Sequence, residues 1–303
     1  MAELLNYAEE YSRALANAYP NQLHFAALRS TENNNKYKWI DAKTIKIPHL
    51  SVGGRTDGSR DTIGSFTRNF DNDWETKELR WYRTWQTLVD PKDIDETNQV
   101  ASIANITQEM NEREKFPEMD SYLSSKLYAD WTEAGGKEVL GTPTTDTILE
   151  IFDEAMVHMD EKRVPAVGRI LYVTPAIEKI LKSAEGIARN ILLTNNDGRI
   201  ARLISNIDSV AIEKVPSDLM LTAYDFTIGY KAGASAKQIN MFLSHPSCVI
   251  TPEKYTYAGL GAPSAVTQGK YVYYEESYGD VFVLDKRYDG LFFCTSARTQ
   301  EGA

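Results

Sequence analysis

Residues 44–78 read TIKIPHLSVGGRTDGSRDTIGSFTRNFDNDWETKE, and this stretch decides the fold. It opens with an alternating run, Thr44-Ile45-Lys46-Ile47, before Pro48, which is the pattern of a strand with one buried face. From Ser51 to Asp73 the chain turns polar, with Gly53, Gly54, Gly58 and Gly64 spaced between Arg55, Asp57, Arg60, Asp61 and Arg68. A second strand, rich in aromatic residues, is expected around Trp74 to Val89. Two strands flanking an excursion of this length reach about 55 Å at roughly 3.3 Å per residue. A compact chain of this size has a radius of gyration of only about 19 Å. Such a hairpin leaves its own domain and has too few apolar residues to bury itself. It is either an unstructured surface loop or an arm that lies on a neighbouring subunit, with its Arg and Asp residues making the contacts there.

Outward from the hairpin, the N-terminal side begins with a helical stripe, Leu4, Tyr7, Tyr11, Leu15 and Ala18, ended by Pro20. This helix packs in a core or docks on a partner. Residues 30–36 read as a polar linker. On the C-terminal side, acidic residues 90–97 precede a long helical region from about Asn98 to Trp131, in which Pro117 either kinks the helix or begins another. A further helix is expected from Asp146 to about Lys162, with Thr147 and Glu150 spaced as a capping box, and a short one from Pro175 to Ser183. Gly168 to Thr174 is an apolar run in a second half that reads mostly as strand, with strands expected at 208–215, 239–243, 247–251, 270–275, 280–285 and 290–295.

The chain has 303 residues, with 33 Lys and Arg against 43 Asp and Glu, a net charge of −10. That balance disfavours tight sequence-independent binding to DNA or to an anionic membrane. Hydrophobic residues make up 42%, enough for a sizeable core. The sequence contains no apolar run long enough for a transmembrane helix, and its first residues do not read as a signal peptide. Cys248 and Cys294 form no disulfide framework or metal spacing and are expected as buried thiols of a protein made in a reducing cytosol.

Catalytic patterns are missing. His24, His49, His158 and His245 stand apart from one another, and none sits in a zinc-hydrolase motif. Gly259-Leu260-Gly261-Ala262-Pro263 has Pro where a dinucleotide-binding helix starts, and Gly269-Lys270-Tyr271 lacks the Ser or Thr of a phosphate loop. No nucleophile elbow occurs, and no spacing selects a carboxylate pair. The reading is a non-enzymatic, structural protein without cofactor or metal.

Several strings, in order, resemble the major capsid protein of tailed double-stranded DNA phages, the Hong Kong 97-type fold. They are Lys43 through Pro48, Asp90 through Thr97, Phe116 through Tyr122, Ile207 through Pro216 and Ile239 through Pro246. The most specific is Tyr273-Tyr274-Glu275-Glu276-Ser277-Tyr278-Gly279-Asp280-Val281-Phe282-Val283-Leu284, followed by Tyr288-Asp289-Gly290-Leu291. The resemblance covers nearly the whole chain. It implies an α+β fold with an N-terminal arm (1–42), an extended hairpin loop (43–80), a peripheral domain with a long spine helix (81–165 and 271–303) and an axial domain (166–270).

The resemblance further implies an icosahedral shell subunit that self-assembles into pentamers and hexamers around double-stranded DNA. Assembly would occur in the host bacterial cytoplasm, and the finished protein would reside in the virion. The implied partners are further copies of the chain, a portal protein at one vertex, packaged DNA held without sequence-specific contacts and a decoration protein, with no membrane. The capsid-like pattern begins within the first residues, so a separate scaffolding protein is expected. Neither partner of the Lys–Asn cross-link found in some relatives aligns here, so assembly is expected to be non-covalent. An encapsulin-type cargo shell is the alternative on the same fold. Within this frame Arg55, Asp57, Arg60, Asp61 and Arg68 are the expected inter-subunit contacts. Trp74, Trp81 and Trp85 are the expected loop anchor, and Leu4, Tyr7, Tyr11 and Leu15 the packing face of the arm.

Overall fold

The computed structural model describes residues 21–41, 43–55, 57, 68–96, 103–184, 191–193, 200–202 and 206–298. The expected arm face at Leu4, Tyr7, Tyr11 and Leu15 lies outside the described residues, as do Arg60 and Asp61 of the loop.

A six-stranded sheet forms the centre. Its strand order is 139–140, 291–296, 238–244, 170–173, 210–214 and 206–207. Strand Ile170–Val173 runs parallel to Val210–Lys214, and Gln238–Ser244 is antiparallel to both Ile170–Val173 and Leu291–Ser296. Side chains alternate across these strands, and the two faces bury different partners. Tyr172, Phe242 and Phe293 face one side, while Leu171, Val173, Met241, Leu243, Phe292 and Cys294 face the other.

The first face carries a row of rings. Phe242 pairs in register with Tyr172 on one side and Phe293 on the other. Its ring stacks on theirs at centroid distances of 4.8 and 5.0 Å. Phe25 extends the row at 4.8 Å from Tyr172, and Trp131 closes it at 5.0 Å from Phe293. Trp131, Leu127 and Leu123 come from the long helix, so the row is where that helix docks. On the other face lie helices Ile148–Glu161 and Pro175–Ser183, through Ile148, Phe152, Ala155, Met159, Ile177 and Leu181. Thr147 does not cap the first of these helices through its side chain; its hydroxyl accepts the Thr144 N–H instead.

The long helix runs as Ile103–Met110, a π-helical turn Asn111–Lys115, and Phe116–Glu133, about 45 Å in all. Pro117 neither ends the helix nor begins a second one. The wider π turn just before it, in which the Phe116 N–H reaches the Asn111 carbonyl, accommodates the residue that cannot donate.

A three-stranded sheet, Glu253–Gly261, Tyr271–Gly279 and Trp81–Val89, lies alongside. The aromatic strand expected over 74–89 is in fact two. Phe70–Glu78 pairs with Thr44–Val52, whereas Trp81–Val89 joins the long three-stranded sheet. Residues of the expected peripheral and axial segments share one sheet. Strand Leu291–Ser296 belongs to the six-stranded sheet rather than to the long one, and helix Ile148–Glu161 packs on that same six-stranded sheet. Cross-strand pairing and the buried face of the helix, neither visible in linear order, set those memberships.

The polar stretch 30–36 is a fitted clasp, not a linker. Asn33 donates to the Ser247 carbonyl at 2.6 Å, Thr31 to the Val249 carbonyl at 3.1 Å, and Asn34 accepts the Thr251 N–H at 2.9 Å. Both cysteines are buried free thiols.

Phe242→Ala removes the centre of the ring row and leaves a cavity, so it lowers stability by about 3–5 kcal/mol. The outward-facing Tyr82→Ala costs under about 1 kcal/mol. Urea unfolding of the two variants, followed by tryptophan fluorescence, measures this difference.

Candidate assembly interface

Thr44–Val52 and Phe70–Glu78 form an antiparallel hairpin of nine residue pairs, from Thr44 opposite Glu78 to Val52 opposite Phe70. The paired part is about 30 Å long. Ile45 and Ile47 on one strand and Leu79 just past the other pack against Ile250, Phe282 and Leu284 of the body. Residues with odd numbers on both hairpin strands share this inward face. Beyond the apolar base the face becomes polar, and Glu75 is its buried pivot. Its carboxylate meets His49 at 2.7 Å and Lys77 at 3.2 Å, and accepts the Asp285 backbone N–H at 3.2 Å. Lys77 also reaches the Asp285 carboxylate at 2.7 Å. Burial disfavours the Lys77 charge, but the carboxylates of Asp285 and Glu75 outweigh it and raise its pKa.

The even-numbered face points the other way. Pro48, Leu50 and Val52 lie on one strand and Phe70 and Trp74 on the other, with Val52 opposite Phe70 and Pro48 opposite Trp74. Leu50, Val52, Phe70 and Trp74 are between 41% and 72% exposed. Arg55 and Asp57 lie beyond the paired strands, and Arg68 sits over the Phe70 ring at 4.6 Å while its Nε donates to the Phe70 carbonyl. Of the expected charged contacts, Arg55, Asp57 and Arg68 therefore lie at the end of an apolar stripe that charge alone does not reveal. Its signal was present in the period-two run Pro48, Leu50, Val52.

The three expected anchor tryptophans do not act together. Trp74 is on the exposed outer face of the hairpin. Trp81 stacks on Tyr122 of the long helix at 3.7 Å and meets Phe226 edge-on at 5.0 Å. Trp85 lies near Tyr273 in the long sheet at 5.6 Å. The aliphatic residues Ile45, Ile47 and Leu79 hold the hairpin base, because they face the body; Trp81 fixes the next strand instead.

Between the long helix and the long sheet is a cavity of about 800 Å³, lined among others by Trp81, Arg83, Lys115, Glu118, Tyr122 and Glu275. Two ion pairs cross it, Arg83 with Glu118 at 2.5 Å and Lys115 with Glu275 at 3.2 Å. Among the described residues no group of three or more His, Cys, Asp and Glu is placed to hold a metal ion, and no helix is long and apolar enough to cross a membrane. These pairs join the long helix to the long sheet across the cavity.

The chain that leads into the clasp is held to the long helix by Asp120. This fully buried carboxylate accepts the backbone N–H groups of His24 at 2.8 Å and Phe25 at 3.4 Å, and Arg29 donates to the neighbouring Met119 carbonyl at 2.6 Å. Burial raises the Asp120 pKa to about 6, against the opposing pull of those N–H groups and of Arg29.

No family model matches the chain, and no curated protein sequence matches it. Solved structures do. It superposes on a structure of Mycobacterium phage Che8 with a TM-score of 0.64 at 14% identity, covering 96% of this chain and 98% of that one. The capsid structure of the cyanophage P-SCSP1u gives 0.68 at 11% identity, covering 97% and 94%. The mature capsid of bacteriophage PhiM1 gives 0.65 at 12% identity, covering 97% and 93%. The chain has the capsid fold of tailed phages, the Hong Kong 97-type α+β fold that the sequence resembles.

The Asp120 pKa carries a sign for stability. Its folded value, about 6, lies above the unfolded value of about 3.9, so between them the folded state holds more protons. The contribution is full below about pH 3.9 and is lost as pH rises through about 6. Asp120→Asn has no such titration. The stability of the wild type minus that of the variant therefore falls by up to about 3 kcal/mol from pH 4 to pH 7. Urea unfolding of both proteins across this range checks it, and parallel curves would contradict it.

Proposed function

We propose that this chain is the structural subunit of an icosahedral phage capsid, assembling into pentamers and hexamers that close a shell around double-stranded DNA. One observation carries the reading: the fold of phage capsids extends over nearly the full length of both this chain and its structural neighbours. The projecting hairpin supports it, since an element that turns an apolar face away from its own body needs a neighbour to cover that face. A shell closes because one contact is repeated around rings and between them. Each contact is weak alone, and simultaneous engagement at several surfaces multiplies the effective affinity.

The role is structural rather than enzymatic, in keeping with the capsid structures that this chain resembles. The long sheet and long helix form the peripheral part, and the six-stranded sheet with its two outer helices forms the axial part. Arg55, Asp57 and Arg68 border the hairpin contact and make it sensitive to salt. Further partners are a portal protein at one vertex, a separate scaffolding protein and a decoration protein, with assembly in the host bacterial cytoplasm. The net charge of −10 suits a container that must not grip its DNA while filling. A cargo-enclosing cellular compartment is not favoured, because the solved structures named above are those of phages.

Negative-stain electron microscopy of the purified protein at rising concentration tests the proposal. Closed shells, or rings of five or six subunits, are the expected outcome. A strictly monomeric protein at all concentrations, with and without molecular crowding, would overturn it.

A further inference from the structure

One cation in the cavity between the long helix and the long sheet lacks a counter-charge. Among the described residues three cations line that cavity, Arg29, Arg83 and Lys115. Arg83 meets Glu118 and also donates to the Phe226 carbonyl at 2.7 Å, and Lys115 meets Glu275. Arg29 differs. Its Nη2 donates to the Met119 carbonyl at 2.6 Å, but its Nε is enclosed and has no hydrogen-bond partner. No carboxylate among the described residues forms an ion pair with it. Asp120 and Glu253 act on it only from farther off, against a burial that pulls its pKa down. A largely enclosed charge without a close partner is costly to keep. A carboxylate is the partner that the uncommitted donors of a guanidinium fit best.

The wall beside Arg29 is apolar and built from rings. Tyr122 lies one turn on from Met119 and stacks on Trp81 at 3.7 Å, and Met110 and Trp85 continue the lining. Indole faces and methionine sulfur both favour aromatic contact. At about 800 Å³ the cavity falls in the range of small-molecule sites, in which apolar walls surround a few fixed polar groups. Five carboxylates line it as well, those of Glu114, Glu118, Glu253, Glu275 and Asp280, so it repels a polyanion such as a nucleotide. The walls and the one uncompensated cation together select a single negative charge on a flat apolar body.

We propose that this cavity binds a small aromatic carboxylate, with its carboxylate on the Arg29 guanidinium and its rings against Met119, Tyr122 and Trp81. Arg29 stands on the chain that leads into the clasp, Met119 and Tyr122 on the long helix, and Trp81 on the long sheet. A ligand in this position therefore touches three parts at once and stiffens the joint between them. The site involves neither face of the hairpin and does not rest on the shell reading.

Calorimetric titration of the full-length chain with 2-naphthoate, repeated with the neutral 2-naphthamide, tests the proposal. One naphthoate per subunit is expected. The amide is expected to bind about tenfold more weakly or worse, because the charge-assisted contact is lost. Arg29→Met keeps the apolar stem and removes the guanidinium, so it weakens naphthoate by about the same factor and leaves naphthamide unchanged. Ile228→Trp adds bulk at an exposed residue that lines the cavity, and it weakens both ligands. Lys286→Met, an equal change of charge outside the cavity, binds naphthoate as the wild type does. Naphthoate also raises the unfolding midpoint of the wild type but not that of Arg29→Met. Thermal unfolding without ligand shows whether each variant is folded. If Arg29→Met is not, the amide comparison and Ile228→Trp still decide.

The absence of saturable binding, or equal affinity for naphthoate and naphthamide, would overturn the proposal. So would naphthoate binding that Ile228→Trp and a folded Arg29→Met both leave unchanged, since the ligand would then sit elsewhere on the chain.

Discussion

The buried carboxylate of Asp280 is the joint on which the parts of this molecule turn. It accepts the Tyr122 hydroxyl of the long helix at 2.6 Å, the Arg80 N–H at 2.8 Å between the hairpin and the long sheet, and its own neighbour's Val281 N–H at 2.8 Å. Three elements distant in sequence meet at one group, and each supplies a donor to the buried carboxylate. Trp81, beside Arg80, stacks on the same Tyr122, so the direction in which the chain leaves the hairpin and enters the sheet is fixed by a hydrogen bond and a ring contact together. The outward aim of the hairpin follows from this joint and from the apolar base one layer below.

Much of this was legible in the sequence, for reasons that can be traced residue by residue. Alternation at Ile45 and Ile47 marked the inward face of the hairpin, and the glycine-rich polar run after Ser51 marked where burial stops. The three- and four-residue spacing of Leu123, Leu127 and Trp131 marked the helix face that now docks on the ring row. Pro175 at a helix start and Asp289-Gly290 before the last strand behaved as local chemistry requires.

What was not legible depends on partners far away in the chain. Asn33 and Thr31 look like linker residues until Ser247 and Val249 are placed beside them, more than 200 residues on. A single aromatic run, 74–89, was divided between two sheets by pairing that local propensity does not encode. The apolar stripe of the hairpin was hidden because only the register shows that Leu50 and Val52 share a face with Phe70 and Trp74. The charged residues of the loop are the more conspicuous in linear order, and of these Arg68 sits over the Phe70 ring of that stripe. Tryptophans attracted the role of anchor by their size, while the smaller Ile45, Ile47 and Leu79 hold the base.

In the proposed capsid subunit folding and assembly are separate: the core folds around the ring row and the Asp280 joint, and the hairpin is left for a neighbour. Replacing residues 50–72 with a two-residue turn tests that separation. Sedimentation velocity and thermal unfolding would be measured on the same sample. The account predicts an unfolding midpoint within a few degrees of the wild-type subunit and no species larger than small oligomers at any concentration. A chain that fails to fold, or one that still closes into shells, would contradict it.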